Sequence, residues 1–256
     1  MGNTQFFDTN NYEFNTGCKR GVYLIHGFTS TTYELLDLAK FLAHHNFYVR
    51  VDNLPGHGTS VDDCNTIKYK ELIDHVELGV AEVAAVCEDV HVIGISMGAV
   101  LALHLATIFP LSSVIEAAAV FQFKSEFNVR ILVPMLSWLI TKQKKSKHYK
   151  KVGGDKLNFF GYDYYPLKAL NQMRKLTNVV RPNLNKVKSP TMLIHTKKDL
   201  TSVMENFNIV KSSISSIRQK DLILEDSIHN LFTKGPEQTY TFNSVLSFLN
   251  ENSKIK

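Results

Sequence analysis

Nowhere in this 256-residue chain is there an uninterrupted apolar run of the roughly 18 residues that a bilayer-spanning helix needs, so none is expected. The first twenty residues, "MGNTQFFDTNNYEFNTGCKR", lack the basic start and apolar core of a secretory leader. Phe6 spoils the N-myristoylation pattern despite Gly2. Cysteine is scarce: Cys18, Cys64 and Cys87 are odd in number, far apart and not at metal-ligand spacing. Reduced thiols are expected from them, and with the missing leader a cytoplasmic protein without disulfides. There are no internal repeats and no low-complexity linker. A general excess of one charge is also missing. The net charge is +5, but "KQKKSKHYKK", Lys142 to Lys151, holds six lysines and no acid, and the rest of the chain nets about −1. Basicity confined to one segment argues against a nucleic-acid partner.

What the chain does have is the composition of an ordinary globular protein, 44% apolar and 21% charged. Strand-like and helix-like stretches alternate, the pattern of a parallel sheet covered by helices. "GVYLIHG" reads as a buried strand, "YELLDLAKFLAHH" as a helix and "FYVRVD" as the next strand. After the loop "LPGHGTS", Leu72, Ile73, Val76, Val80 and Val83 form one helical stripe. "VHVIGI" is a strand, "MGAVLALHLATIF" a helix ended by Pro110, and "SSVIEAAAV" a further strand. From about Phe121 to Tyr165 the rhythm breaks. It resumes with "PTMLIHT" as strand, "VMENFNIVKSSI" as helix, "KDLILED" as strand and "PEQTYTFNSVLSFLN" as the closing helix. An α/β core of residues 1–120 and 166–256, interrupted by an inserted lid at 121–165, is the expected organisation.

One motif carries chemistry. "GISMG", Gly94 to Gly98, places Ser96 between a strand and a helix with glycine two positions away on each side. A serine on so sharp a bend adopts strained dihedrals, and neighbours without a β-carbon let strand and helix pass closely. A serine hydroxyl is a poor nucleophile without a base, and the base needs an orienting acid. On an open α/β sheet these lie past later strands, in the order Ser, acid, His. Asp199 follows "PTMLIHT" and His229 follows "KDLILED". Of the ten histidines, only His229 lies beyond Asp199. Glu116 is the alternative acid. Asp226 reads as a cap or surface acid, His195 as a core or rim residue, and His26 and His57 as loop-bracing groups. The oxyanion that such chemistry generates needs backbone donors. The amides of Met97, just after the serine, and of Phe28, in "IHGFTS", are the candidates.

Together "LIHGFTSTTYELLDLAKFLAHHNFYV", "LPGHG", "VIGISMGAV", "SPTMLIHTKKD" and "SIHNLF" with "VLSFLN" resemble the α/β-hydrolase superfamily, and within it the small bacterial carboxylesterase and monoacylglycerol lipase group. The similarity runs from about Tyr12 to Asn250, with no extra strand expected ahead of the one that ends in "HGFT". The resemblance implies a Ser96–Asp199–His229 triad, two-step ester hydrolysis and no cofactor. The chain departs from the group in two places. Ile228 stands where glycine is frequent before the histidine, and "LTSVME" after the acid lacks the usual Val-Pro.

The inserted segment has two readings. "VRILVPMLSWLI" is apolar on most faces and fits a lid packed over the serine as an acyl pocket. With the lysines that follow, residues 129–151 also fit peripheral docking on anionic lipid. A small-molecule or lipid ester is the expected substrate. The rivals are a thioesterase, peptidase or acyltransferase on the same triad, and a ligand-binding homologue without turnover. Ser96 in place of an aspartate disfavours dehalogenase and epoxide-hydrolase chemistry.

Overall fold

The computed structural model describes residues 8–145 and 161–255. A short strand β1, Tyr12–Phe14, leads into β2, Arg20–Ile25; a 3-10 turn at Thr32–Leu35 opens α1, Leu36–His44, and β3 is Tyr48–Val51. Then come α2, Val61–Cys64, α3, Tyr69–Val86, β4, Asp89–Ile95, α4, Met97–Ala106, and β5, Ser113–Ala117. The interruption contains a π-helical turn at Asn128–Leu132, α5, Val133–Leu136, and a hairpin of β6, Lys142–Lys144, and β7, Tyr164–Pro166. The chain ends with α6, Leu167–Val180, β8, Thr191–Thr196, α7, Met204–Ser213, β9, Gln219–Leu224, and α8, Gln238–Asn252.

Seven strands form one sheet in the order β1-β3-β2-β4-β5-β8-β9, parallel throughout except for β1 against β3. The central strands read as unbroken apolar runs because both faces are covered. In β2, Tyr23 and Ile25 join the core under α3, α4 and α6, while Val22 and Leu24 face the core under α1 and α8. Helix α4 is buried on nearly all sides, which explains why its sequence shows no polar stripe.

All three cysteines are free thiols. Strand β1 corrects the expectation that none precedes "GVYLIHG": three residues pair antiparallel with β3 and close the sheet edge. The segment "VRILVPMLSWLI" splits its faces. Val133 is buried, whereas Met135, Trp138 and Leu139 face outward, Trp138 at 73% and Leu139 at 67% exposure. Lys147, Lys150 and Lys151 of the lysine run lie outside the described residues. Among the described residues no helix is long and apolar enough to cross a membrane.

The sheet places the end of β4 beside the end of β2 with no space for a methyl group between them. A β-carbon on Gly98 would overlap the Ile25 and His26 carbonyls, and one on Gly94 would overlap the backbone of Gly98 and Ala99. Gly98→Ala is therefore expected to cost about 3 kcal/mol or more, the upper end of ordinary point substitutions. Gly235→Ala, whose β-carbon would meet only the Thr233 carbonyl at 3.8 Å, should stay within about 0.5 kcal/mol. Urea denaturation followed by circular dichroism compares them.

Candidate active site

Ser96 sits between the last residue of β4 and the first of α4 with φ 57° and ψ −116°, a left-handed conformation that costs of order 1–3 kcal/mol in a residue with a side chain. Its own N–H donates to the Ala117 carbonyl at 2.8 Å, fastening the bend to β5. The side chain lines a cavity of about 490 Å³, shared with Gly27, Phe28, Glu34 and His229. Its apolar wall includes Val120, Phe123, Val133, Leu170 and Met173.

Asp199 and His229 arrive from the loops after β8 and β9. His229 Nδ1 donates to Asp199 Oδ2 at 2.7 Å, while Oδ1 accepts from the Thr201 and Ser202 amides at 2.7 and 2.8 Å. The aspartate side chain is almost fully enclosed; the imidazole keeps 16% exposure. Burial alone would push the His229 pKa down, but the Asp199 charge and hydrogen bond, with Glu34 adding to them, leave it raised above 6.5. Burial likewise works to raise Asp199, and the histidine with the two amides reverses it to a net lowering. The couple leaves Nε2 as the ring nitrogen free for other work. Among the described residues no hydrogen bond joins Nε2 to the Ser96 hydroxyl, although both residues face the same cavity; such bonds commonly tighten only around substrate.

The loop after β2 is held from several directions. His26 Nδ1 donates to the Gly27 carbonyl at 2.9 Å and Nε2 accepts from the Leu54 amide at 3.0 Å. The Gly27 N–H donates to Glu34 Oε2 at 2.9 Å. Among the described residues no acceptor is found for the Phe28 or Met97 N–H groups, and Met97 as the first residue of α4 has no intrahelical partner. A β-carbon on Gly27 would lie 3.2 Å from Ser96 Cβ, so this loop passes directly beside the serine.

The other candidates fall elsewhere. Glu116 is buried with Oε2 on the Ala119 amide, its pKa pushed up to about 8 by burial, and it makes no bond to His229. Asp226 pairs with Lys198 at the surface at 2.6 Å. His195 accommodates the Ser202 carbonyl at 3.1 Å. Burial holds His26 near 3 and His57 near 4, so both are neutral braces at neutral pH. Among the described residues no group of three His, Cys, Asp or Glu side chains is placed to hold a metal ion.

Sequence reasoning missed four contributors. Glu34 was visible only as a lone acid inside an apolar helix start, and it is buried. Glu237 accepts from the amides of Glu225, Asp226 and Ser227 and so shapes the loop carrying His229. Lys145 and Tyr162, from the interrupting segment, touch the loop after β2; nothing local marks them out.

A parallel sheet covered on both faces, with a strained serine at the strand-to-helix bend, places the molecule in the class of α/β hydrolase folds. The chain belongs to the alpha/beta hydrolase family, whose model matches residues 22–212. It is 26% identical over 215 residues, 82% of each chain, to a thermostable monoacylglycerol lipase from Bacillus sp. strain H-257. It is 23% identical over 242 residues to a carboxylesterase from Bacillus subtilis strain 168, spanning 91% of this chain and 93% of that one. Among solved structures, a metagenome-derived lipolytic enzyme superposes with a TM-score of 0.84 at 21% identity, covering 95% of this chain and 98% of the other. Paleococcus ferrophilus monoacylglycerol lipase gives 0.80 at 14% identity, covering 96% of this chain and all of that one.

The electrostatics of the couple are measurable directly. The His229 imidazole should titrate above 6.5 in NMR of its ring carbons. In Asp199→Asn the charge is gone and burial remains, so the same resonance should titrate below 6.5.

Proposed function

We propose that this chain is a serine hydrolase that cleaves carboxylic esters through an acyl-enzyme intermediate, acting on short- to medium-chain acyl esters or monoacylglycerols. The observation that carries it is His229, hydrogen-bonded to Asp199, lining the same cavity as Ser96. The names of the two Bacillus relatives support the ester substrate class.

His229 Nε2 takes the Ser96 proton as Oγ attacks the ester carbonyl. The oxyanion is held by the Phe28 and Met97 amides, a kind of preorganised donor pair whose loss typically costs 10²–10³-fold per donor. Asp199 fixes the Nδ1–H tautomer and stabilises the imidazolium. The imidazolium gives its proton to the departing alcohol oxygen as the carbon–oxygen bond breaks, leaving the acyl group on Ser96. Water, deprotonated by the same nitrogen, attacks that acyl carbon; Ser96 leaves with the proton and the carboxylic acid is released. The apolar wall suits the acyl chain. Residues 121–145 and 161–165, the described parts of the inserted segment, serve as a lid over the site. With Trp138, Leu139 and Met135 facing outward and exposed Lys142 and Lys144 beside them, the same segment suits contact with an anionic lipid surface.

Ser96→Ala should lower kcat by about 10⁴-fold or more on p-nitrophenyl esters; near-full turnover by that variant refutes the assignment. The base must be neutral to act, so kcat/KM for the parent should rise with pH through an apparent pKa above 6.5. A fluorophosphonate probe should label the parent at Ser96, which a homologue without a working nucleophile would not allow. Binding to lipid predicts co-sedimentation with anionic but not neutral vesicles; equal binding to both, or to neither, removes that part of the proposal.

A further inference from the structure

The loop that carries Phe28 is gripped by the segment that interrupts the α/β alternation. Lys145 Nζ donates to Thr29 Oγ1 at 2.7 Å, and the Tyr162 N–H donates to the Thr29 carbonyl at 3.2 Å. Gly161, at φ 131°, lies so close that a β-carbon there would overlap that same carbonyl. Lys145 and Tyr162 are parts of one unit, because the Lys145 N–H extends the β6–β7 pairing to the Asp163 carbonyl at 3.0 Å. The unit is anchored a second time by the Tyr162 hydroxyl, which donates to the Gly56 carbonyl at 2.6 Å.

Thr29 itself has φ 61°, and a β-branched residue stays in that region only when its surroundings hold it there. It is one peptide unit past the Phe28 N–H. On the preceding side along the chain, the buried Glu34 carboxylate holds the Gly27 N–H, one unit before it. The Phe28 amide thus hangs between two side-chain ties, one from the core and one from the inserted hairpin. Placing an ammonium among buried groups is costly, and burial indeed pulls the Lys145 pKa down to about 7 against the nearby Asp163, Glu34 and Cys64. An apolar side chain could have filled the space without that cost.

We infer that Lys145 is a positioning residue for the oxyanion donor: through Thr29 it sets the direction of the Phe28 N–H, so that the inserted hairpin is a working part of the site as well as its cover. The inference rests on the roles proposed for Ser96 and Phe28. Glu34 completes the same brace at the preceding residue, Gly27.

The test measures kcat and KM on p-nitrophenyl butyrate for the parent, Lys145→Met, Thr29→Val and the double variant, with thermal midpoints alongside. Loss of alignment should lower kcat by about 10- to 100-fold in each single variant, with KM within about twofold. The double variant should be no worse than the poorer single one, since both cut the same tie. Thr29→Ser, which keeps the hydroxyl, should recover most of what Thr29→Val loses. A kcat within twofold of the parent overturns the inference, including when the midpoint falls. So does a raised KM at constant kcat, which would make Lys145 a substrate contact, and so do losses that simply multiply in the double variant. If Lys145→Met does not fold, Thr29→Val decides, because it severs the tie without altering the hairpin. The parent separates the two levels: no turnover and no fluorophosphonate labelling defeats the hydrolase reading itself, whereas an active parent with unaffected variants defeats only the brace.

Discussion

The constraint on which the rest depends is steric. Strand β4 must turn into α4 within one residue, and the turn survives only because Gly94 and Gly98 lack the β-carbons that would strike the neighbouring backbone. The strain sits at Ser96, whose backbone is left-handed, and is balanced by a helix buried on nearly every side and by the hydrogen bond that the Ser96 N–H donates to β5. At the bend Ser96 joins the wall of the cavity, and the Met97 N–H that follows it has no intrahelical partner.

A second theme is how the fold sorts its histidines. Burial lowers the pKa of His26, His57, His75, His91 and His195, and it prevails even where a carboxylate opposes it, Asp52 at His75, Asp89 at His91 and Asp199 at His195. His229 is also screened from solvent, yet its pKa moves the other way because a fully enclosed carboxylate is bound to Nδ1. The difference is an ionised carboxylate in direct hydrogen-bond contact with the ring, in a poorly solvated place where charges interact strongly. Asp199 can remain ionised there because two backbone amides share its charge. Glu116, with one amide and an oxygen lacking any partner, is pushed toward the neutral form instead. The two acids differ because the His229 imidazole and two amides act against burial at Asp199, whereas a single amide does so at Glu116.

Much of this was legible in the chain. The central strands announce themselves as apolar, β-branched runs, the helices as stripes, and the order of serine, acid and histidine after successive strands narrows the candidates to Asp199 and His229. Asp199 and His229 are hydrogen-bonded to each other, and Ser96 lines the same cavity as the histidine. Strand β1 was not legible, because three residues are too few to display a period and their pairing with β3 is made about forty positions away. Nor was the inward placement of Glu34, which reads as one charge at a helix start.

The sequence by itself determined the layered α/β architecture, the sharp bend at Ser96 and the chemical types that stand at the strand ends, since each of these follows from local patterning and backbone sterics. Only the tertiary structure decided that Lys145 would meet Thr29 across 116 positions and that Glu34 would tie down Gly27. It also decided that "VRILVPMLSWLI" would turn Val133 inward and Trp138 outward. The physical reason is that these contacts are made by single polar or apolar atoms between segments with no shared periodicity. Their partners are chosen by how the sheet, the loop after β2 and the inserted hairpin come to rest against one another.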